Sequence, residues 1–319
     1  MTAPPAAPAP RPILLAGPTA SGKSALALAL AEALGGMVIN ADSQQVYAGW
    51  RILTARPGAA DEARAPHRLY GHVPLGTPYS AGHWLRDLRP VLDEARALGL
   101  RPIVTGGTGL YFRALTQGLA AIPPVPADLR AAGEALLARL GLAAFAADLA
   151  ARDPLTAARI DLANPARVLR AWEVLEATGR PLARWQDDTA PPLLPLSTTV
   201  PLALIPPRAA LAHRCETRLD AMLADGVLGE VRAVMALGLA PRAPGLKAVG
   251  APELMAHLRG ETGLAEAMAD AGTATRRYAK RQLTWIRGQM TGWTVIETPD
   301  PGPVLALIAA SDEAARAAG

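Results

Sequence analysis

Residues 17–24 read Gly17-Pro18-Thr19-Ala20-Ser21-Gly22-Lys23-Ser24, a complete G-x-x-x-x-G-K-[ST] phosphate-binding loop. Gly17 and Gly22 let the backbone turn its N–H groups toward a phosphate. Lys23 adds a formal charge beside the positive end of the helix that follows. The Ser24 hydroxyl is the group such a loop offers to Mg²⁺. The chemistry is therefore binding of a di- or triphosphate, with its identity and fate left open by the loop itself.

A second candidate is Asp42, within Asn40-Ala41-Asp42-Ser43-Gln44-Gln45-Val46-Tyr47. A carboxylate beyond a strand end can accept a hydrogen bond from a substrate N–H or act through Mg²⁺. Asp-Ser also commonly makes a turn or helix cap, and both readings stand. Gln44, Gln45 and Tyr47 carry groups suited to a base edge, although a solvated turn uses the same types. In Thr105-Gly106-Gly107-Thr108-Gly109-Leu110-Tyr111, the glycines allow close backbone approach to a ligand. Thr108 either contacts a phosphate or caps the next helix. Arg214 and Arg218 form an i, i+4 pair that can clamp a pyrophosphate or pair locally with Glu216 or Asp220.

Arg276, Arg277, Lys280, Arg281 and Arg287 fall within twelve residues that contain no acid. On a helix, Arg276, Lys280 and Arg287 lie near one face, with Arg277, Arg281 and Thr284 beside them. Trp285 and Ile286 can pack inward. The stripe suits a phosphate backbone; the plainer reading is a solvated helix face.

These groups need a scaffold. Strand-like runs are Pro12–Ala16, Met37–Asn40, Pro102–Thr105, Pro201–Ile205 and Trp293–Glu297. Helical patterns occupy Ser24–Leu34, Ser80–Leu98, Thr108–Thr116, Ala209–Leu237 and Ala265–Met290. Short apolar strands alternating with helices predict an α/β fold, a P-loop NTPase-like parallel sheet flanked by helices. Between Pro123 and Pro192 the rhythm changes to helices alone. Eight Arg against nine Asp/Glu make that stretch nearly neutral. It predicts an inserted all-helical domain at 123–192, on a core formed by 11–122 and 193–312. The Ala-rich segments around 131–151 and 309–318 read as compositional bias.

Length and composition are compatible with this. The chain has 319 residues, 50% of them apolar, enough for a large core with an insert. A net charge of +4 and a pI of about 9.6 permit an RNA partner without demanding one. Cys215 stands alone, which excludes an internal disulfide and a cysteine-based zinc finger and suits a reducing cytoplasm. The N-terminal Ala/Pro stretch lacks the basic and apolar regions of a signal peptide, so 1–10 is expected to be a disordered tail. No apolar run reaches the length of a membrane span, and no membrane partner is expected.

Taken together, the motifs resemble the tRNA isopentenyltransferase family, the tRNA dimethylallyltransferases of bacterial type. The resemblance rests on 17–24, 40–47, Thr-Ala-Arg-Pro (54–57), Ala-Pro-His-Arg-Leu (65–69), Tyr-Ser-Ala (79–81), Gly-Gly-Thr-Gly-Leu-Tyr (106–111), Arg167–Glu176 and Ala279–Arg287, collinear over roughly 11–297. It implies transfer of a dimethylallyl group from dimethylallyl diphosphate to N6 of adenine 37, beside the anticodon of a tRNA carrying an A36-A37-A38 run. It further implies that the loop 17–24 holds the donor's pyrophosphate with Mg²⁺ on Ser24. The helical insert corresponds to the family's mobile domain, which closes on the anticodon stem-loop. Catalytic roles carry over to Thr19, Lys23, Asp42, Arg214 and Arg218. Contacts to tRNA carry over to Asp42, Ser43, Gln44, Gln45, Thr108, Arg130, Arg167, Arg170, Lys247, Lys280, Arg281, Gln282, Thr284, Trp285 and Arg287. A cytoplasmic monomer is expected.

The chain departs from the family pattern in three places. Arg68 stands where a second His is usual, and Leu53 replaces a Gly common before Thr-Ala-Lys/Arg-Pro. The segment Lys247-Ala248-Val249-Gly250-Ala251-Pro252 lacks a Tyr and a cation of the usual pattern.

The chemistry suits the residues. The adenine exocyclic amine is a poor nucleophile, so catalysis leans on stabilising the leaving pyrophosphate and on positioning. Lys23, the loop N–H groups and an arginine from 214/218 bear the developing charge, Thr19 adds a hydroxyl, and Asp42 orients N6 and takes its proton. Three other readings share parts of this. A P-loop small-molecule kinase needs a lid arginine cluster and a Walker-B-like acid. A free-adenylate isopentenyltransferase has no use for the insert or the basic stripe. A GTPase-like RNA-binding module needs an Asn-Lys-x-Asp motif, which is absent.

Overall fold

The computed structural model describes residues 10–318, so the tail expected over 1–10 lies, apart from Pro10, outside the described residues. Six strands form one sheet: β1 (Ile13–Ala16), β2 (Gly36–Asn40), β3 (His67–Arg68), β4 (Arg101–Gly106), β5 (Val200–Leu204) and β6 (Thr294–Ile296). Their order is β3-β2-β4-β1-β5-β6, and every pairing is parallel. β1 and β2 are buried along their whole length, as continuous apolar strands covered on both faces must be. Because all strands run one way, their carboxyl ends share one edge. The register levels them: Ala16 pairs with Gly106 and with Ala203, and Asn40 with Thr105. The loops leaving β1, β2 and β4 therefore emerge side by side, where open α/β sheets bind ligands.

The helices are α1 (Lys23–Leu34), α2 (Ala59–Arg64), α3 (Ala81–Ala97), α4 (Gly109–Gln117), α5 (Ala127–Arg152), α6 (Pro154–Ala157), α7 (Pro165–Thr178), α8 (Leu182–Asp187), α9 (Arg208–Ala224), α10 (Val227–Met235), α11 (Ala251–Leu258), α12 (Leu264–Gln289) and α13 (Pro301–Ala318). The chain divides into two compact units, Met1–Thr116 with Leu194–Gly319, and Gln117–Leu193. In the first unit, one apolar cluster joins β1, β5 and α1 to Val304 and Ile308 of α13. A second joins Val46–Leu53 to α9, α10, α11 and Ala271. The second unit holds α5–α8 around Phe145, Leu149, Val168 and Trp172, and α5 is broken at Gly141, whose φ is 75°.

Some expectations need correction. The single helix expected over Ala209–Leu237 is two, because Gly226 takes a left-handed φ of 88° that ends α9 and starts α10. The strand β3 is two residues long, too short to show alternation. The Ala-rich end 309–318 is not mere bias. It is the last part of α13, where Asp312 pairs with buried Arg101 at 2.8 Å and with Arg11 at 3.5 Å. Arg68, in place of a histidine, forms an ion pair with Glu94 of α3 at 2.5 Å.

Candidate active site

The phosphate loop follows β1 directly. Gly17 N–H donates to the Gly106 carbonyl at 3.2 Å, tying the loop to the end of β4. Ala20 and Gly22 have φ of 62° and 94°, the left-handed turns that swing successive N–H groups inward. No side chain caps α1, so its leading N–H groups are left for an anion.

Among the described residues, none of the cations around this loop, Lys23, Arg214 and Arg218, forms an ion pair, and the nearest influence of opposite charge is Asp42. Lys23 is buried, and its Nζ donates to the Pro18 carbonyl at 3.2 Å. Burial pulls its pKa from 10.5 down to about 8. Asp42 opposes that shift and Arg218 reinforces it. Arg218 Nη1 donates to the Thr19 hydroxyl at 2.9 Å, and Arg214 Nη1 to the Ser21 carbonyl at 2.7 Å. The local pairing with Glu216 or Asp220 is therefore not made; both arginines reach the loop. Ser21 Oγ is buried without a partner. Ser24 is exposed and lines a separate cleft of about 160 Å³ with Arg56, Asp61, His67 and Tyr70.

Asp42 is fixed from both sides. Asn40 Oδ1 accepts the Asp42 N–H at 2.9 Å, and Asn40 Nδ2 donates to the carbonyls of Asp42 and Leu69, each at 3.0 Å. Asp42 Oδ1 accepts the Gln44 N–H at 2.9 Å, so the turn reading is correct for that oxygen. Oδ2 faces Gly107, where a Cβ would come within 3.2 Å of it. One carboxylate thus makes the turn and still presents an oxygen to the site. Three tyrosines surround it. Burial raises Tyr70, Tyr111 and Tyr278 above the ordinary value of 10, and the Asp42 charge adds to each shift. Tyr111 stacks on Trp84 with centroids 4.6 Å apart, and Trp84 Nε1 donates to the Asn40 carbonyl at 2.8 Å.

The loop after β4 completes the wall. Thr108 Oγ1 accepts the Ser43 N–H at 2.9 Å, joining the β2 and β4 loops. Gln282 of α12 accepts the Thr19 N–H at 2.8 Å and donates to the Gly107 carbonyl at 3.0 Å. Gln282 is buried, so it does not share the exposed face of α12 expected to meet RNA. Gln44 Oε1 accepts the Val249 N–H at 2.9 Å; Gln45 Nε2 donates to the carbonyls of Thr54 and Ala55 at 2.8 and 3.0 Å. One end of each amide holds a loop, and both residues also line the pocket. Sequence reasoning missed Asn40, Trp84, Tyr278 and Glu230. The Asn40-x-Asp42 spacing, typical of a turn closed by its own side chains, was the one available signal.

The result is a single pocket. Thr19, Asp42, Gln44, Gln45, Thr54, Arg218, Thr275 and Tyr278 give its polar side, and Leu53, Leu219, Met222 and Val249 its apolar side. Its lining combines one cation, Arg218, the Asp42 carboxylate and four hydrocarbon side chains. That combination suits displacement of an anionic leaving group by a nucleophile that must lose a proton.

Outside the pocket, Arg276, Arg277, Lys280, Arg281, Thr284 and Arg287 are exposed on α12. None of the five cations is ion-paired among the described residues. Trp285 is half-buried against Gly109, where a Cβ would lie 1.9 Å from the indole; only glycine seats it. Lys247 is exposed. Within the helical unit Arg130 and Arg170 flank buried Glu173 at 3.4 and 3.2 Å, and Arg167 is exposed.

Comparison with known proteins agrees in kind. The family model described as IPP transferase matches residues 45–289. A tRNA dimethylallyltransferase of Cereibacter sphaeroides is 59% identical over 92% of this chain and 90% of its own length. One from Dinoroseobacter shibae is 59% identical over 90% and 95%. Among solved structures, the full-length tRNA isopentenylpyrophosphate transferase of Bacillus halodurans superposes with a TM-score of 0.67 at 29% identity, covering 96% of each chain. A eukaryotic dimethylallyltransferase acting on tRNA gives 0.77 at 25% identity, covering 90% of this chain and 74% of that one.

Proposed function

The chain belongs to the IPP transferase family, and from that premise we propose that it transfers a dimethylallyl group from dimethylallyl diphosphate to N6 of adenine 37, next to the anticodon of tRNA. The observation that carries this reading is the shared pocket. Thr19 and Arg218, beside buried Lys23, mark the diphosphate end, and Asp42 stands in the same wall. A diphosphate on the loop directs its allylic carbon toward the carboxylate.

The reaction follows from these groups. The C1–O bond to pyrophosphate breaks as the N6–C1 bond forms. Lys23, Arg218, Arg214 and the uncapped N–H groups of α1 stabilise the departing charge. Asp42 Oδ2 accepts the N6–H, which orients the amine, and receives its proton as the bond forms. Among the described residues, no group of three or more His, Cys, Asp or Glu could hold a metal. The exposed Ser24 hydroxyl, next to Lys23 at the start of α1, is the side chain that would hold Mg²⁺. When bound, the ion neutralises leaving-group charge.

Adenine 37 must leave its stack to reach this pocket, at low cost in an unpaired loop. The exposed cations of α12 supply the backbone contacts, joined by Lys247 and, from the helical unit, by Arg130, Arg167 and Arg170. Ser43, Thr108 and Trp285 are assigned to the same RNA contact. No described helix is long and apolar enough to cross a membrane, and we assign the protein to the cytoplasm with its tRNA substrate. We take the protein to act as a monomer.

The test is incubation with labelled dimethylallyl diphosphate and bulk tRNA from a strain lacking the modification, followed by nuclease mapping. Label at adenine 37, with pyrophosphate release requiring both substrates, is the expected result. ATP hydrolysis stimulated by tRNA, without prenyl transfer, would overturn the reading in favour of a kinase-like enzyme.

A further inference from the structure

Two arginines and then apolar side chains follow one another along α9. Arg214, Arg218 and Met222 stand at i, i+4 and i+8, each step advancing about 6 Å along the axis. The first two reach the phosphate loop, and the third, with Leu219, lines the apolar side of the pocket. An allylic diphosphate lying along this helix has its pyrophosphate by the arginines and its chain by Met222. One helical turn is comparable in length to one isoprene unit.

Leu53 and Val249 line the same pocket as Met222, and neither can move aside easily. The Glu230 carboxylate accepts the N–H groups of Arg51, Ile52 and Leu53 at 2.5, 2.8 and 2.8 Å, clamping the backbone that carries Leu53. Thr54, next in sequence, donates its hydroxyl to the Trp50 carbonyl at 2.8 Å and accepts from Gln45. The Leu53 side chain is 4% exposed and packs over Gly250, where an added Cβ would come within 3.2 Å of its Cδ1. Gly250 has a φ of 91°, so the chain beneath Leu53 is held in a left-handed turn. Val249 is tied through its N–H to Gln44.

We propose that Leu53, backed by Gly250 and clamped by Glu230, sets the length of the prenyl donor by closing the pocket behind one isoprene unit. The proposal rests on the reading of the site as a dimethylallyl transferase and adds the residue that determines donor length. A ten-carbon allylic diphosphate meets the Leu53 wall before its pyrophosphate can seat on the loop.

The test is the ratio of kcat/KM for geranyl diphosphate to that for dimethylallyl diphosphate, on one tRNA. The ratio does not depend on the fraction of protein that is folded, so loss of stability does not mimic the effect. Leu53→Ala should raise it by about tenfold or more, the scale on which apolar pockets discriminate added carbons. Val249→Ala, at a half-buried position, should raise it in the same direction by less. Met255→Ala removes a buried side chain from the same apolar cluster but outside the pocket and should leave the ratio unchanged. An unchanged ratio in both Leu53→Ala and Val249→Ala overturns the proposal. So does an equal rise in Met255→Ala, which would indicate general loosening. If the unaltered protein fails to transfer from dimethylallyl diphosphate, the underlying reading fails, and the proposal with it.

Discussion

Gln282 Oε1 accepts the Thr19 N–H at 2.8 Å, linking α12 to the phosphate loop across 263 positions of sequence. The other end of the same amide holds Gly107. Removing the side chain strands two buried backbone groups, each worth roughly 1–3 kcal/mol when unsatisfied. Gln282→Ala should raise the KM for dimethylallyl diphosphate about tenfold or more and leave the tRNA Kd nearly unchanged. Steady-state kinetics with a filter-binding Kd checks the split; a large loss of tRNA affinity instead would place Gln282 at the RNA interface.

The buried Lys23 makes donor binding depend on pH. Its pKa in the ligand-free fold is about 8, below the ordinary 10.5. Between those values the unfolded chain carries a proton that the fold does not, so stability should rise with pH across that window. A bound diphosphate restores the ammonium, so binding should take up a proton above about pH 8 and weaken with rising pH, by up to about tenfold per pH unit. Calorimetry of pyrophosphate binding in two buffers of different ionisation enthalpy measures the uptake. The uptake near pH 9 should exceed that in Lys23→Met, which carries only the ligand's own proton exchange, and the difference should be small near pH 7.

The two arginines of α9 should differ. Arg218, which lines the pocket, reaches the Thr19 hydroxyl, whereas Arg214, which does not line it, contacts the Ser21 carbonyl. Arg218→Gln should lower kcat by about 10²–10³, the range for losing a preorganised donor to a developing anion. Arg214→Gln should cost less than about tenfold, because its partner is loop backbone. Single-turnover rates at saturating donor measure both; equal losses would contradict the distinction.

The exposed stripe on α12 predicts a salt effect. Replacing Lys280 and Arg287 by Gln should weaken tRNA binding uniformly across tRNA sequences and reduce the slope of log K against log salt by about 0.7–0.9 per lost contact. The KM for the donor should barely move. Wild-type affinity with an unchanged slope would make this a solvated helix face.

The parts of the site legible in the sequence are those where function fixes residue types at short spacing. The loop 17–24 needs two glycines, a lysine and a hydroxyl wherever it occurs, and Asp42 follows a strand whose apolar run is plain. Apart from Asn40, two residues before Asp42, the groups holding them were not legible, because they act at long range. Gln282 sits in a polar stretch that periodicity assigns to solvent, and its partners lie on the other side of the chain. Glu230 reads as an ordinary first-turn acid, yet it clamps Arg51–Leu53. The departures at Leu53 and at 247–252 look unrelated in sequence, and the fold brings them together over Gly250. The break at Gly226 was hidden because Ala/Leu-rich patterns continue on both sides.

In the proposed reaction Asp42 takes the proton from the adenine amine while the phosphate loop releases pyrophosphate. The most direct measurement is the single-turnover rate of Asp42→Asn with labelled dimethylallyl diphosphate and a pre-bound anticodon stem-loop. Asn keeps the Oδ1 acceptor for the Gln44 N–H and removes the base. The rate should fall by about 10²–10⁴ with stem-loop affinity nearly intact. A single-turnover rate equal to that of the unaltered protein would contradict the account.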